Sequence, residues 1–309
     1  MSTSSPASTS RQPSAVGRMI DTHHHLWDLD KNYYPWLTDK IEPKPYGDYS
    51  AIRRNYLIKD FFADIGDLPL VKSVHVNGDH DHNDPVRETA WLQSVADDKN
   101  SRGFPHAIVA DASLTREDLP ALLEAHCAYR NMRGVRSILS PIVTANRPNV
   151  LEGSAWWDGL KMLARFDLSL DLQIHPLQMP RIAEAVRQHP KIGFIVCHTG
   201  FLNYKDPAMV ETWDAGMRML AAFPNVALKI SGFMVWDLKW TVDSIRPTVL
   251  RAIEIFGSER CMFASNYPPD RLAATYEKIW RSFEEITRDF SPDERDAMFY
   301  ENACRYYRI

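Results

Sequence analysis

Met19-Ile20-Asp21-Thr22-His23-His24-His25-Leu26-Trp27 is the stretch that decides the architecture of this 309-residue chain. An apolar lead-in runs into an acid and then into histidines at alternate positions. Residues two apart in an extended strand share a face. Asp21, His23 and His25 are therefore expected on one side and His24 on the other. Two imidazoles side by side at a strand end can grip one metal ion or one substrate oxygen. The triplet is embedded in Ile-Asp-Thr and Leu-Trp-Asp rather than in linker residues, so it reads as part of the fold and not as a tag.

Outward from this strand, short β-like runs alternate with amphipathic stretches. Strands are expected at Met19–His25, Val71–Asn77, Phe104–Asp111, Gly134–Leu139, Leu168–His175, Ile192–His198, Val226–Ser231 and Arg260–Ser265. Helical patterns fall at Pro85–Asp97, Arg116–Tyr129, Ala155–Arg165, Pro180–Gln188, Pro207–Phe223 and Val242–Phe256. Eight strands with intervening helices indicate an α/β parallel sheet, and eight strands can close a (β/α)8 barrel. An open doubly wound sheet is the alternative, weakened by the lack of a Gly-rich phosphate loop after the first strand. Ser291-Pro292-Asp293-Glu294 starts a capped last helix, expected to run through Ala303 and Tyr306 across the barrel's outside. Residues 1–17, rich in Ser, Thr, Pro and Ala, read as a disordered leader, leaving a single domain over 18–309.

The composition is that of an ordinary soluble chain, with 45% apolar and 25% charged residues. A formal charge of −4 without a long basic run gives nucleic acid no electrostatic footprint. No stretch reaches membrane-spanning length. Four scattered cysteines, Cys127, Cys197, Cys261 and Cys304, fit structural thiols in a reducing, cytoplasmic setting. Trp156 and Trp157 leave open a homo-oligomer interface or a core position.

In such barrels the strands deliver their chemistry at their C-terminal ends. Strand one delivers His23 and His25, and strand two His75 and Asn77. Strand four offers Arg136, strand five Asp171, Gln173 and His175, strand six His198, strand seven Lys229 and Ser231, and strand eight Asn266. Converging neutral imidazoles could hold a divalent metal that activates water. Without metal, the same donors could polarise a carbonyl, helped by Lys229 and Arg136. A buried Lys229 needs an anionic partner, with Asp21 and Asp171 as candidates. The connection from Asp28 to Tyr56 is unusually long and carries Trp36, Tyr46, Tyr49, Arg53 and Arg54. With Trp27 it reads either as a wall or lid over substrate or as a loop packed on the rim.

Several motifs together resemble the amidohydrolase superfamily, in its amidohydrolase 2 branch of sugar and 2-pyrone-4,6-dicarboxylate lactonase-like proteins. They are Ile-Asp-Thr-His-His-His-Leu-Trp (20–27), Asp-Pro-Val-Arg-Glu-Thr-Ala-Trp-Leu-Gln (84–93), Arg-Gly-Val-Arg (133–136), Cys-His-Thr-Gly (197–200), Lys-Ile-Ser-Gly (229–232), Met-Phe-Ala-Ser-Asn-Tyr-Pro (262–268) and Glu-Asn-Ala-Cys-Arg-Tyr-Tyr (301–307). The resemblance implies a barrel hydrolase that opens a cyclic ester by water attack on its carbonyl. His23 and His25 match the family's HxH pair, His198 its strand-six histidine and Lys229 a strand-seven lysine. His175 lies near the strand-five position, where Gln173 could face the site instead. At strand eight the family's hydrolases carry an aspartate; this chain has Asn266, which cannot act as a general base near neutral pH.

The residues expected to be catalytic are His23, His25, His198, Lys229 and Asn266. Those expected to bind substrate are Trp27, Tyr49, Arg53, Arg54, His75, Arg136, Gln173 and His175. Either one divalent ion such as Zn2+ is held by His23, His25 and His198, or the site works without metal. His198, His175 and Asp270 are the candidates to replace the strand-eight acid. The expected substrate is a small anionic or polyhydroxylated lactone. The alternatives are a decarboxylase of an aromatic acid on the same scaffold and a catalytically silent ligand-binding barrel.

Overall fold

A computed structural model describes residues 16–141 and 149–309. Eight strands form one parallel sheet hydrogen-bonded in sequence order: β1 (Met19–His24), β2 (Leu70–Val76), β3 (Ala107–Asp111), β4 (Met132–Ile138), β5 (Ser169–Gln173), β6 (Phe194–Val196), β7 (Val226–Ile230) and β8 (Cys261–Phe263). The ring closes just beyond β8, where His24 bridges Tyr267 and the His25 N–H donates to Tyr267 O at 2.7 Å. The expected (β/α)8 barrel is thus the observed one, and the open-sheet alternative is excluded. Each predicted helical stretch is present with ends moved by a few residues. Among the described residues three further helices, Pro35–Thr38, Ile58–Ile65 and Tyr276–Ile286, lie outside the expected set.

Strand alternation sorts the side chains. Leu170, Leu172, Phe194, Val196, Leu228 and Phe263 join the shell packed against the helices. Ile20, Val74, Val76, Ala107, Val109, Ile195, Ala227 and Met262 form a separate inner cluster. Its other members are Ala303 and Tyr307, which corrects the expected course of the C-terminal segment. Ser291 does cap that segment as predicted, its Oγ accepting from Glu294 N while Ser291 N donates to Glu294 Oε2. Beyond residues 297–301, the helix Asn302–Tyr307 presents Ala303 and Tyr307 to the barrel interior, not to its outer wall. They lie four apart, hence on one helix face. The Tyr307 hydroxyl donates to Asp171 Oδ2 at 2.9 Å inside the barrel.

The face assignment along β1 needs a second correction. Its pairing with β2 shifts register between Asp21 and His24, and such an irregularity moves later side chains to the other face. The Asp21 carboxylate accepts from Ser265 Oγ at 2.5 Å and from the Tyr276 hydroxyl, on an outer helix, at 2.9 Å. His23 and His25 lie together, with ring centroids 5.0 Å apart. His24 stacks on Phe61 of an outer helix, centroid to centroid 4.2 Å.

Of the leader expected over 1–17, residues 1–15 lie outside the described residues. Val16 is buried, and its N–H donates to Glu284 Oε1. Trp156 is a core residue at 1% exposure, while Trp157 is partly buried and lies beneath the Arg181 guanidinium. Among the described residues no helix is long and apolar enough to cross a membrane.

Candidate active site

A cavity of about 110 Å3 opens beyond the strand ends. His25, Arg136, Gln173, His198 and Asn266 line it, five of the predicted residues drawn from five strands or their extensions. The long first connection supplies a wall. Its base is clasped by Trp27 and Tyr56, whose backbones exchange hydrogen bonds of 3.0 and 2.9 Å. Trp36, Lys44, Pro45 and Tyr46 face the cavity, and Trp36 Nε1 donates to Gly78 O at 2.7 Å. The loop after β7 adds Met234 and Val235. Lys44, Asp79, Phe201, Met234 and Val235 escaped the sequence reading, since nothing in loop composition tells which loop residue turns inward.

Four cavity residues, Asp79, His198, Phe201 and Asn266, sit on unusual backbone. His198 and Asn266 both have φ of 53°, in the left-handed region that costs a non-glycine residue of the order of 1 kcal/mol. In each case the chain turns sharply after a strand and aims the side chain inward. The glycine of Lys-Ile-Ser-Gly has a matching role. At φ of 77°, Gly232 lies so close to the His198 ring that a Cβ there would stand 2.7 Å from His198 Cβ and 2.9 Å from its Nδ1. Gly232→Ala is expected to displace the imidazole and lower kcat/KM about a hundredfold, the order expected for an ångström-scale misplacement. Steady-state kinetics on the folded variant checks this, and unchanged kcat/KM would refute it.

Burial sets the electrostatics. His23 and His25 are held well below the usual imidazole range, first by burial and then by neighbouring imidazoles and cations. His198 is pushed down to about 3 by burial, with Arg136 and Lys229 adding to it. All three rings are therefore neutral near pH 7. His198 Nδ1 lies 3.1 Å from Ser231 Oγ. Arg136 is 7% exposed, and its Nη2 donates to Asn77 O at 2.6 Å. Its Nε donates to Asn77 Oδ1, and its Nη1 reaches Gln173 Oε1 at a long 3.5 Å. Among the described residues no carboxylate lies within ion-pairing distance of this guanidinium. A buried cation without a counter-ion is costly, and it is a natural receptor for negative charge developing in the cavity.

The other predicted residues stand back from the cavity. His23 packs behind the lining, 4.5 Å from the His198 ring centroid, with neither ring nitrogen bonded. Lys229 is fully buried and donates to Asp171 Oδ2 at 2.5 Å, so Asp171 rather than Asp21 is its partner. His75 lies beside His24, its Nε2 near Leu26 O. His175 caps a short turn, accepting from Leu177 N, and does not join the lining. Trp27 Nε1 donates to Arg54 O, and the Tyr49 hydroxyl accepts from Glu42 N. Arg53 donates to Leu37 O and Asp39 O, which pins the loop, and Arg54 is exposed. None of these four lines the cavity. The first connection therefore contributes aromatics and Lys44 to the cavity, not an arginine clamp.

The imidazoles do not assemble a metal ligand set. Among the described residues no three His, Cys, Asp or Glu side chains are placed to hold one ion. The strand-eight position holds an amide, a poorer donor than a carboxylate, and the cations Arg136 and Lys229 lie near enough to His23 and His198 to oppose a further positive charge there. Asp270 is 3% exposed and outside the cavity lining.

Comparison with known proteins fits this geometry. The amidohydrolase family model matches residues 20–309. An uncharacterized protein of Sinorhizobium fredii, y4mH, is 45% identical, covering 94% of this chain and 98% of its own. An L-fucono-1,5-lactonase of Burkholderia ambifaria is 25% identical, covering 94% and 95%. An amidohydrolase from Burkholderia multivorans, solved with bound zinc, superposes with a TM-score of 0.78 at 24% identity, covering 94% and 99%. With the barrel, the strand-end histidines and a family match running to the last residue, the chain belongs to the amidohydrolase family and is a hydrolase.

Proposed function

We propose that the protein opens a small sugar-type lactone by attack of water on the ring carbonyl. The observation that carries this reading is a buried guanidinium, Arg136, with no ion-pair partner among the described residues, facing the same cavity as the neutral imidazole of His198. The relatives named as lactonases support the choice of a cyclic ester. The cavity admits one small ring. Trp36 and Tyr46 offer it flat apolar walls, while Lys44 and Asp79 at the mouth suit hydroxyl or carboxylate substituents.

His198 Nδ1–H donates to Ser231 Oγ and leaves the Nε2 lone pair toward the cavity. Water attacks the carbonyl carbon and its proton passes to His198 Nε2. The oxygen that gains charge is met by Arg136 Nη1 and the Gln173 amide. Collapse breaks the ring C–O bond, and the alkoxide takes the proton back from His198, giving the open hydroxy acid. A ring held as low as about 3 is a weak base at rest. Negative charge forming beside Arg136 cancels one of the fields that depress it, so its basicity rises as the transition state is approached.

A pH-stat assay over sugar 1,5- and 1,4-lactones and a 2-pyrone dicarboxylate lactone tests the proposal. Acid release with kcat/KM of about 10^4 M−1 s−1 or more is expected for at least one of them. No acid release from any, by folded protein, would sink it. Carbon dioxide release from hydroxybenzoates would favour the decarboxylase instead.

A further inference from the structure

The strand-eight amide is answered four residues later by a carboxyl group. As placed, Asn266 Nδ2 donates to Asp270 Oδ2 at 2.6 Å and Asn266 Oδ1 faces His25 Nε2 at 3.4 Å. The far end of this row is fixed, because His25 Nδ1 stands 2.8 Å from Val76 O, which can only accept. The ring hydrogen therefore sits on Nδ1, and the neutral ring presents a lone pair from Nε2 to Asn266.

The two ends of a carboxamide have nearly the same shape and exchange by a half-turn. With Oδ1 toward His25, two lone pairs confront each other. With Nδ2 toward His25, the amide donates there, and its oxygen turns to Asp270, which must then supply a hydrogen. A separation of 2.6 Å is usual for O–H···O and short for N–H···O.

We propose that Asp270 is a positioning residue held as the neutral acid, donating to Asn266 Oδ1 so that Asn266 Nδ2–H donates to His25 Nε2. His25 becomes a fixed, uncharged wall of the cavity, and proton transfer is left to His198. The surroundings of Asp270 favour this form. Burial dominates and pushes its carboxyl up to about 8, and the charge of Asp21 acts in the same direction. The Asn266 side chain and then the Met234 N–H oppose it, and the phenols of Tyr46 and Tyr267 feel its charge. When Asp270 ionises, the amide must turn its N–H to the carboxylate, and its oxygen then meets the His25 lone pair. Activity should fall about tenfold per pH unit above pH 8, as a single inactivating ionisation requires.

Two measurements test this. In folded wild-type protein labelled with 13C-aspartate, the carboxyl signal absent from Asp270→Asn should titrate near pH 8. The amide introduced by Asp270→Asn keeps an N–H toward Asn266 Oδ1 at every pH, so this variant should move the alkaline limb of kcat/KM up by at least one unit. Asp270→Ala, with no donor, should lose activity across the whole range. A carboxyl titrating near pH 4 overturns the proposal, as does an alkaline limb unchanged in Asp270→Asn. Stoichiometric zinc seated on His25 Nε2 overturns it too, since a cation would reconcile the facing lone pairs. The kinetic arm rests on the lactonase reading. The carboxyl titration needs no substrate and stands or falls by itself, even if the alanine variant does not fold.

Discussion

His198→Ala is expected to retain about a thousandth of the wild-type kcat/KM toward the best lactone, with kcat carrying most of the loss. The size follows from the role. A positioned base contributes of the order of 10^2 to 10^4 in rate. Here no other cavity imidazole has an unbonded, inward-facing nitrogen: His25 is engaged at both its nitrogens, and His23 sits behind the lining. The Arg136 guanidinium survives the substitution, so substrate still binds and KM should move only a few fold. Ser231→Ala probes the same contact more gently. It removes the oxygen 3.1 Å from Nδ1 without touching the ring, and about a tenfold loss is expected from imperfect orientation. Steady-state kinetics over pH 6 to 8, with circular dichroism to verify folding, decides both. A His198→Ala variant within tenfold of wild type would remove His198 from the chemistry.

Lys229→Ala should be the most destabilising single change in the barrel's interior. The ammonium and the Asp171 carboxylate are both fully buried and in contact at 2.5 Å. Removing one member strands the other in a poorly polar interior, a cost of about 3–5 kcal/mol. At roughly 2–4 °C per kcal/mol for a chain of this class, Tm should fall by about 10 °C. The Tyr307 hydroxyl stays on Asp171 and softens the loss. Pairing Lys229→Met with Asp171→Leu removes both charges together and should recover much of the stability. Differential scanning calorimetry on the two singles and the double completes the cycle. A double variant no more stable than the singles would show that the ion pair is not the source of the loss.

The strands are legible because each is a short β-rich run set between longer amphipathic stretches, and the alternation itself dictates a parallel barrel. Strand ends then point to His25, Arg136, Gln173, His198 and Asn266, since in this architecture those ends share one mouth. Other features escape. The register shift in β1 sends Asp21 to Ser265 and Tyr276, and period-two counting cannot see an irregularity. His75, between Val74 and Val76 of the inner cluster, faces the helices with His24 by plain alternation. The helix Tyr276–Ile286 does carry a readable signal, with apolar residues at 276, 279, 280, 283 and 286 after the Thr275 cap, which a search for strand–helix alternation overlooks once the eighth strand is placed. Which loop residues complete the cavity depends on tertiary contacts such as Trp36 on Gly78, which leave no local trace.

The stopper formed by Ala303 and Tyr307 has a consequence for biosynthesis. Asp171 leaves the ribosome 136 residues before the tyrosine that covers it, and the ring itself waits for Tyr267 to meet His24. From the synthesis of Lys229 until that of Tyr307, the buried Lys229–Asp171 pair therefore lacks its cover. Vectorial folding of this chain is back-loaded, and its nascent form should lean on chaperones until the final helix arrives.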